Sequence, residues 1–142
     1  MTLDLPAVLQ RRSDALQMLS QALADTPGVL LASAEQWAKR KDDHRPLFAM
    51  LLSLIRDLSI SRAGGHEAQL MHLDIWDTLS ALAASIPTAI LWEIFEIVHS
   101  TQEAIAHNVN AQLAFEVMFF KIGDVYDRAR RRDRQRQRYA SV

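Results

Sequence analysis

The stretch Ala104–Phe120, A-I-A-H-N-V-N-A-Q-L-A-F-E-V-M-F-F, decides how the C-terminal half of this chain folds. It joins two long apolar-periodic segments through three residues, Asn108-Val109-Asn110. Asparagine tolerates the left-handed backbone that ends a helix, and its short amide accepts from the free N–H groups that open one. Asn108 therefore reads as a stop and Asn110 as a start, with a strongly apolar helix beginning around Leu113.

Outward from that break the pattern stays helical. Pro87–His107 carries Ile90, Leu91, Ile94, Ile97, Val98 and Ile105 at core spacing, and a sixth helix runs from Asn110 through Leu113, Val117, Phe120 and Val125. Upstream, Leu47, Met50, Leu51, Leu54, Ile55 and Leu58 step by three and four, with Asp42 or Asp43 as the cap, Pro46 in the first turn and Gly64-Gly65 as the stop. Pro6 opens a first helix with Leu9, Leu16, Leu19 and Leu23 on one side, ended by the turn Asp25-Thr26-Pro27-Gly28. Val29–Lys41 makes a short second helix with Leu30, Leu31, Ala34, Trp37 and Ala38 on one face. His66–Leu73 reads as a connection, after which Asp74 caps a helix bearing Ile75, Leu79, Leu82 and Ala83. No repeat of 20 to 50 residues and no strand pattern is evident. The expectation is an all-α fold, a single compact bundle of about six helices over residues 1–126, followed by an Arg-rich extension or tail over 127–142.

Composition agrees. The chain has 142 residues, 49% of them apolar, with four Gly, four Pro and no Cys, which suits one helical domain and excludes disulfides and thiolate metal sites. The N-terminus lacks a signal-peptide pattern, and the runs Leu47–Leu52 and Ile86–Trp92 are far shorter than the roughly 20 apolar residues that span a bilayer. A cytoplasmic protein without membrane contact is expected. Charge is divided: residues 1–120 hold 8 Lys and Arg against 14 Asp and Glu, a net of −6, while residues 121–142 hold 8 against 3, a net of +5.

Catalytic patterns are sparse. There is no phosphate-binding glycine loop, nucleophile elbow or cysteine, so no enzyme, cofactor or small-molecule substrate is expected. Glu96-x-x-His99 has the spacing of a di-iron ligand pair, but such a site needs a second copy and two further Glu. A solvated polar face is the simpler reading, with His99 and Glu103 as an i, i+4 pair, and no metal is expected. His44, His66, His72 and His107 fall in caps or loops. Trp37, Trp76, Trp92, Phe119 and Phe120 read first as core. Phe115, Met118, Phe119 and Phe120 nevertheless widen the apolar stripe of the last helix, so that helix is buried on several sides, centrally or against another subunit.

The run Arg128–Arg138 contains Arg128, Arg130, Arg131, Arg132, Arg134, Arg136 and Arg138, seven Arg in 11 residues. It reads in two ways. One is a solvated helix end, since cations suit a helix C-terminus and Asp127 and Asp133 interrupt the block. The other is salt-sensitive phosphate contact with nucleic acid, which would make the chain a small helical nucleic-acid-binding or regulatory protein.

Two blocks carry a family resemblance: Leu51-Leu52-Ser53-Leu54-Ile55-Arg56-Asp57-Leu58 followed by Ala63-Gly64-Gly65, and, after Asp74, Asn108-Val109-Asn110 with Leu113, Ala114 and Glu116. Over roughly Leu9 to Ile122 the chain resembles the C-terminal helical collar domain of the bacterial DNA polymerase III clamp-loader delta-prime subunit. It departs at Ala111, where the family usually has Pro, at Phe115, where it has Leu, and in the Arg-rich tail. The ATPase module that precedes the collar in such subunits has no counterpart here, so the chain reads as an excised domain or a free-standing relative. The resemblance implies a non-catalytic oligomerisation domain in DNA replication whose partners are other clamp-loader subunits. Arg56, Asp57, Asn108, Asn110, Phe115, Phe119 and Phe120 then become structural or interface candidates.

Overall fold

Leu47, Leu51, Leu54, Ile55 and Leu58 all lie below the surface, and they make α3 (His44–Arg62) the helix on which the N-terminal half is built. The computed structural model describes residues 5–24, 26–64 and 71–140. Among them are six α-helices: α1 (Leu5–Ala24), α2 (Pro27–Ala38), α3, α4 (Trp76–Ala84), α5 (Thr88–Ala106) and α6 (Ala111–Ala140). Short 3₁₀ turns at Lys41–Asp43 and Leu73–Ile75 precede α3 and α4. The architecture is all-α.

α3 packs on α1, α4 and α5, and α6 packs on α5, α2 and α1, so these two helices share a single core. Phe48 of α3 stacks on Phe115 of α6 with ring centroids 5.6 Å apart, and the His44 ring meets the same phenyl edge-on at 5.3 Å. On the far side α6 comes close to α1. The first side-chain carbon at Gly123 would sit 3.4 Å from the carbonyl oxygen of Ala22, an ordinary contact distance that marks how near the two helices run.

The α5–α6 corner is built by two asparagines. Asn108 has φ 62°, and its N–H donates to the Ile105 carbonyl while that of Val109 donates to Ala104, the paired bonds of a Schellman ending. Two residues on, Asn110 Oδ1 accepts from the Leu113 N–H at 2.9 Å, satisfying a donor at the start of α6. With Val109 alone between the caps, the chain reverses and α5 and α6 run antiparallel.

Several expectations require correction. Leu9 of α1 and Leu31 of α2 are exposed; of the other expected α1 residues Leu19 is buried and Leu16 and Leu23 pack partly buried against the core, and Ala15, Met18 and Ala22 join them there. α2 starts at Pro27, so Pro27 and Gly28 belong to its first turn rather than to a preceding turn, while Asp25 and Gly65–Leu70, including His66, lie outside the described residues. Asp74 is not a helix cap: it sits in the 3₁₀ turn, and its carboxylate takes two hydrogen bonds from the Arg12 guanidinium, at 2.8 and 2.6 Å. Asp43 does stand at the N-cap position of α3, but its carboxylate accepts from Arg40 rather than from the first N–H groups of the helix. In both places the carboxylate meets a guanidinium, a full opposite charge that at Asp74 offers two parallel N–H donors.

Asn108→Val should lower stability by about 1–2 kcal/mol, because a β-branched residue pays the left-handed backbone cost, whereas Asn108→Gly should stay within about 1 kcal/mol of the parent. Urea unfolding of the two variants distinguishes this from a side-chain role for Asn108, in which both would lose alike.

Candidate interaction surface

α6 divides its circumference. Ala114, Phe115, Met118, Phe119, Ile122 and Val125 face the core, and Phe115 and Phe119 are completely buried. On the opposite side Leu113, Val117 and Phe120, at i, i+4 and i+7, are 54%, 41% and 50% exposed. Aromatic width on α6 thus resolves into two faces, with Phe120 on the outer one. Trp92 of α5 was expected in the core and is 64% exposed, lying flat against Phe95 at 5.8 Å, with His99 next in the stack at 6.2 Å. Between α5 and α6 runs an open groove of about 450 Å³, with Trp92, Ile97 and Val125 on its walls and Lys121, Asp124 and Arg128 along its α6 rim.

Trp37 is half-buried under the Arg40 guanidinium, which lies 4.0 Å from the ring centroid. His99 Nε2 lies 3.3 Å from Glu103 Oε1, the i, i+4 pair its spacing suggests, and Glu96 is exposed. Among the described residues no three His, Cys, Asp or Glu side chains converge as metal ligands do. His44 turns out to be buried, with Nε2 2.6 Å from the Trp37 carbonyl oxygen.

One constellation was missed in the sequence. Ser53 Oγ lies 2.9 Å from His72 Nε2, and Asp57 is next to both, an inventory that looks like a nucleophile, a base and an orienting acid. The hydrogen bonds show otherwise. Ser53 Oγ lies within donating distance of the Met50 carbonyl at 2.8 Å as well as of the imidazole, and Asp57 accepts from the backbone N–H of His72 at 2.7 Å and of Met71 at 3.2 Å rather than from the ring. Asp57 is fully buried, and its remaining partner is Arg56 Nη1 at 3.2 Å. The carboxylate ties the 71–72 segment to α3 by accepting from both of its backbone N–H groups. The signal available beforehand was a charged residue between Ile55 and Leu58 on a core-facing helix.

Arg128 pairs with Asp124 at 3.2 Å and Arg130 lies over Tyr126 at 5.6 Å, and from Arg130 to Ala140 every residue of α6 is exposed. The seven arginines thus sit on the same continuous helix as Phe115, past its last buried side chain.

Among the described residues the fold is all-helical, and large apolar side chains stand exposed in a row along α6. The chain belongs to the family described as DNA polymerase III, delta subunit, C terminal, whose model matches residues 6–123. It is therefore a clamp-loader-related domain of DNA replication. Comparison with curated proteins and with solved structures gives no match. Among the described residues no single helix is long and apolar enough to cross a membrane.

His72 is held below its ordinary pKa, chiefly by burial and further by the Arg12 charge, against the opposing pull of Asp57 and Asp74. The neutral ring is favoured in the folded state, so the unfolded chain binds the extra proton first. Stability should be unaffected by His72 at neutral pH and should fall as pH drops below about 6.5, the unfolded value. Denaturant midpoints between pH 7.5 and 5 test this: His72→Gln should flatten the slope, and an unchanged slope would assign it elsewhere.

Proposed function

We propose that the chain is the non-catalytic collar domain of a clamp-loader subunit of the delta-prime type, packing beside the equivalent domains of other clamp-loader subunits and holding them in a ring. The observation that carries this is the row Leu113, Val117 and Phe120: three large apolar side chains exposed along one face of α6, within the part of the chain that the family model matches. Apolar rows of this kind, rimmed by polar residues, mark surfaces that another protein covers. Trp92 extends the apolar exposure to α5, and tryptophan is favoured at the centre of such contacts.

The delta-prime reading rests on the Leu51–Leu58 block with Arg56-Asp57 and on Asn108-Val109-Asn110. In this account Asp57, Asn108, Asn110, Phe115 and Phe119 set the angle between α3, α5 and α6, and Phe120 meets the partner. Arg56, on the surface beside Asp57, is a second candidate for contact. The domain would act in the cytoplasm, with subunits rather than small molecules as its partners.

Purified protein mixed with the other clamp-loader subunits should co-migrate with at least one of them in sedimentation velocity. Leu113→Glu combined with Phe120→Glu should weaken that association by about 10-fold or more, because two charges would be buried without partners, while circular dichroism stays unchanged. A parent protein that ignores every clamp-loader subunit would sink the reading, as would a double variant that associates normally.

A further inference from the structure

The last 13 helical residues, 128–140, do not belong to the packed body. Val125 is the last buried side chain of α6, yet the helix continues without a break to Ala140, a projection of about 20 Å at 1.5 Å per residue. It leaves the body beside the α1–α2 turn and the end of α4, where Arg130 lines the same cleft as Pro27, Leu82 and Ser85. The family match ends at Gly123, so this projection is a separate feature of the chain.

Its charge distribution is specific. At about 100° per residue, the seven arginines occupy roughly 240° of the helix circumference, and the remaining arc carries Tyr126, Ala129, Asp133, Gln137 and Ala140. Arg128 and Arg130 have neighbours in Asp124 and Tyr126. Arg131, Arg132, Arg134 and Arg136 make no ion pair with any described residue and leave four full charges in water.

A partner for this rod must supply negative charge on more than one side. An acidic protein face would call on one stripe only. A membrane surface would require large apolar side chains on the uncharged arc, and that arc has only alanines and polar residues beyond Tyr126. The major groove of B-form DNA meets the requirement, since it is about 12 Å wide, admits an α-helix and flanks it with phosphates on both walls. We propose that residues 128–140 form a basic rod that lies in the major groove of duplex DNA and binds it without sequence preference, through the phosphates.

The body reinforces this geometry. Residues 1–120 carry a net −6 and repel a polyanion, so DNA engages the projecting rod and not the domain surface. The helix is anchored through Phe115, Met118, Phe119 and Ile122, so the rod is presented already folded. This inference does not depend on the collar reading, because the arginines that carry it lie beyond the family match and apart from Leu113, Val117 and Phe120.

The test is fluorescence anisotropy of the full chain with a labelled 20-base-pair mixed-sequence DNA duplex at 50 and 200 mM salt. With four or more phosphates neutralised, affinity should fall by about 100-fold or more between the two salts. Arg131→Ala, Arg132→Ala, Arg134→Ala and Arg136→Ala combined keep the helix and should abolish most of that affinity, reducing the slope of log affinity against log salt by about 3–4. Gln135→Pro keeps every arginine but breaks the rod, and should cost about 10-fold. Single-stranded DNA and duplex RNA, whose A-form major groove is too narrow for the helix, should bind more weakly than duplex DNA. The double variant Leu113→Glu/Phe120→Glu should bind DNA like the parent, so loss of the partner surface and loss of the rod read out separately. Absence of salt-dependent binding would overturn the proposal. So would equal affinity for single strands or duplex RNA, or a Gln135→Pro variant that binds unchanged, because each removes the groove geometry.

Discussion

The contact between Phe48 and Phe115 is the junction on which the bundle closes. It joins α3, the organiser of the N-terminal half, to α6, which the C-terminal half presents, and the His44 ring completes it from the edge. A phenyl ring reaches that position only if α6 starts at the right place and angle. The Asn108 and Asn110 caps set both, by ending α5 in a left-handed residue and opening α6 two residues later. Polar caps on the surface thereby decide which aromatic face points inward. Because stacked aromatics gain only about 1 kcal/mol beyond the area they bury, the junction is held mainly by burial of both rings, and the caps supply its direction.

Once Phe115 and Phe119 are inward, the helical period leaves Leu113, Val117 and Phe120 no option but to point outward. The exposed row is a geometric consequence of the buried one. Each of these side chains is about half covered by the domain, and the half left in water adds no stability to it. Their presence is best understood through a covering surface, and the collar reading supplies one.

Much of this was legible in the amino-acid order. The six helices, the α3 core residues, and the asparagine stop and start all follow from local chemistry: apolar spacing near 3.6 and residues suited to caps. What was not legible has a common cause. Periodicity reveals that a helix has an apolar face but not where its centre falls when apolar residues cover a wide arc, so Phe119 and Phe120 could not be told apart and Trp92 was placed inside. In α1 the face that packs includes Ala15 and Ala22, small residues that a ranking by hydrophobicity passes over in favour of Leu9. Asp74 reads as a cap as long as only neighbours in sequence are visible. The guanidinium of Arg12, 62 residues away, is what claims Asp74. The same blindness to distant partners hid Asp57 as the anchor of residues 71 and 72.

One helix carries both proposed surfaces, and this has a mechanical consequence. From Phe120 to Arg128 α6 is unbroken, a distance of about 12 Å along its axis. No hinge separates a partner seated on the outer row from DNA held by the rod, so the position of one fixes the position of the other. A flexible Arg-rich tail would search a large volume and lose that freedom on binding, whereas a preformed helix has already lost it on folding. Under the collar reading, the rod would leave the ring at a set angle beside the α1–α2 turn, and DNA bound there would be oriented with respect to the whole assembly. The acidic body sharpens this by disfavouring every other approach of the duplex. Under both proposals the rigidity of a single helix would couple assembly to DNA direction, with no conformational change required.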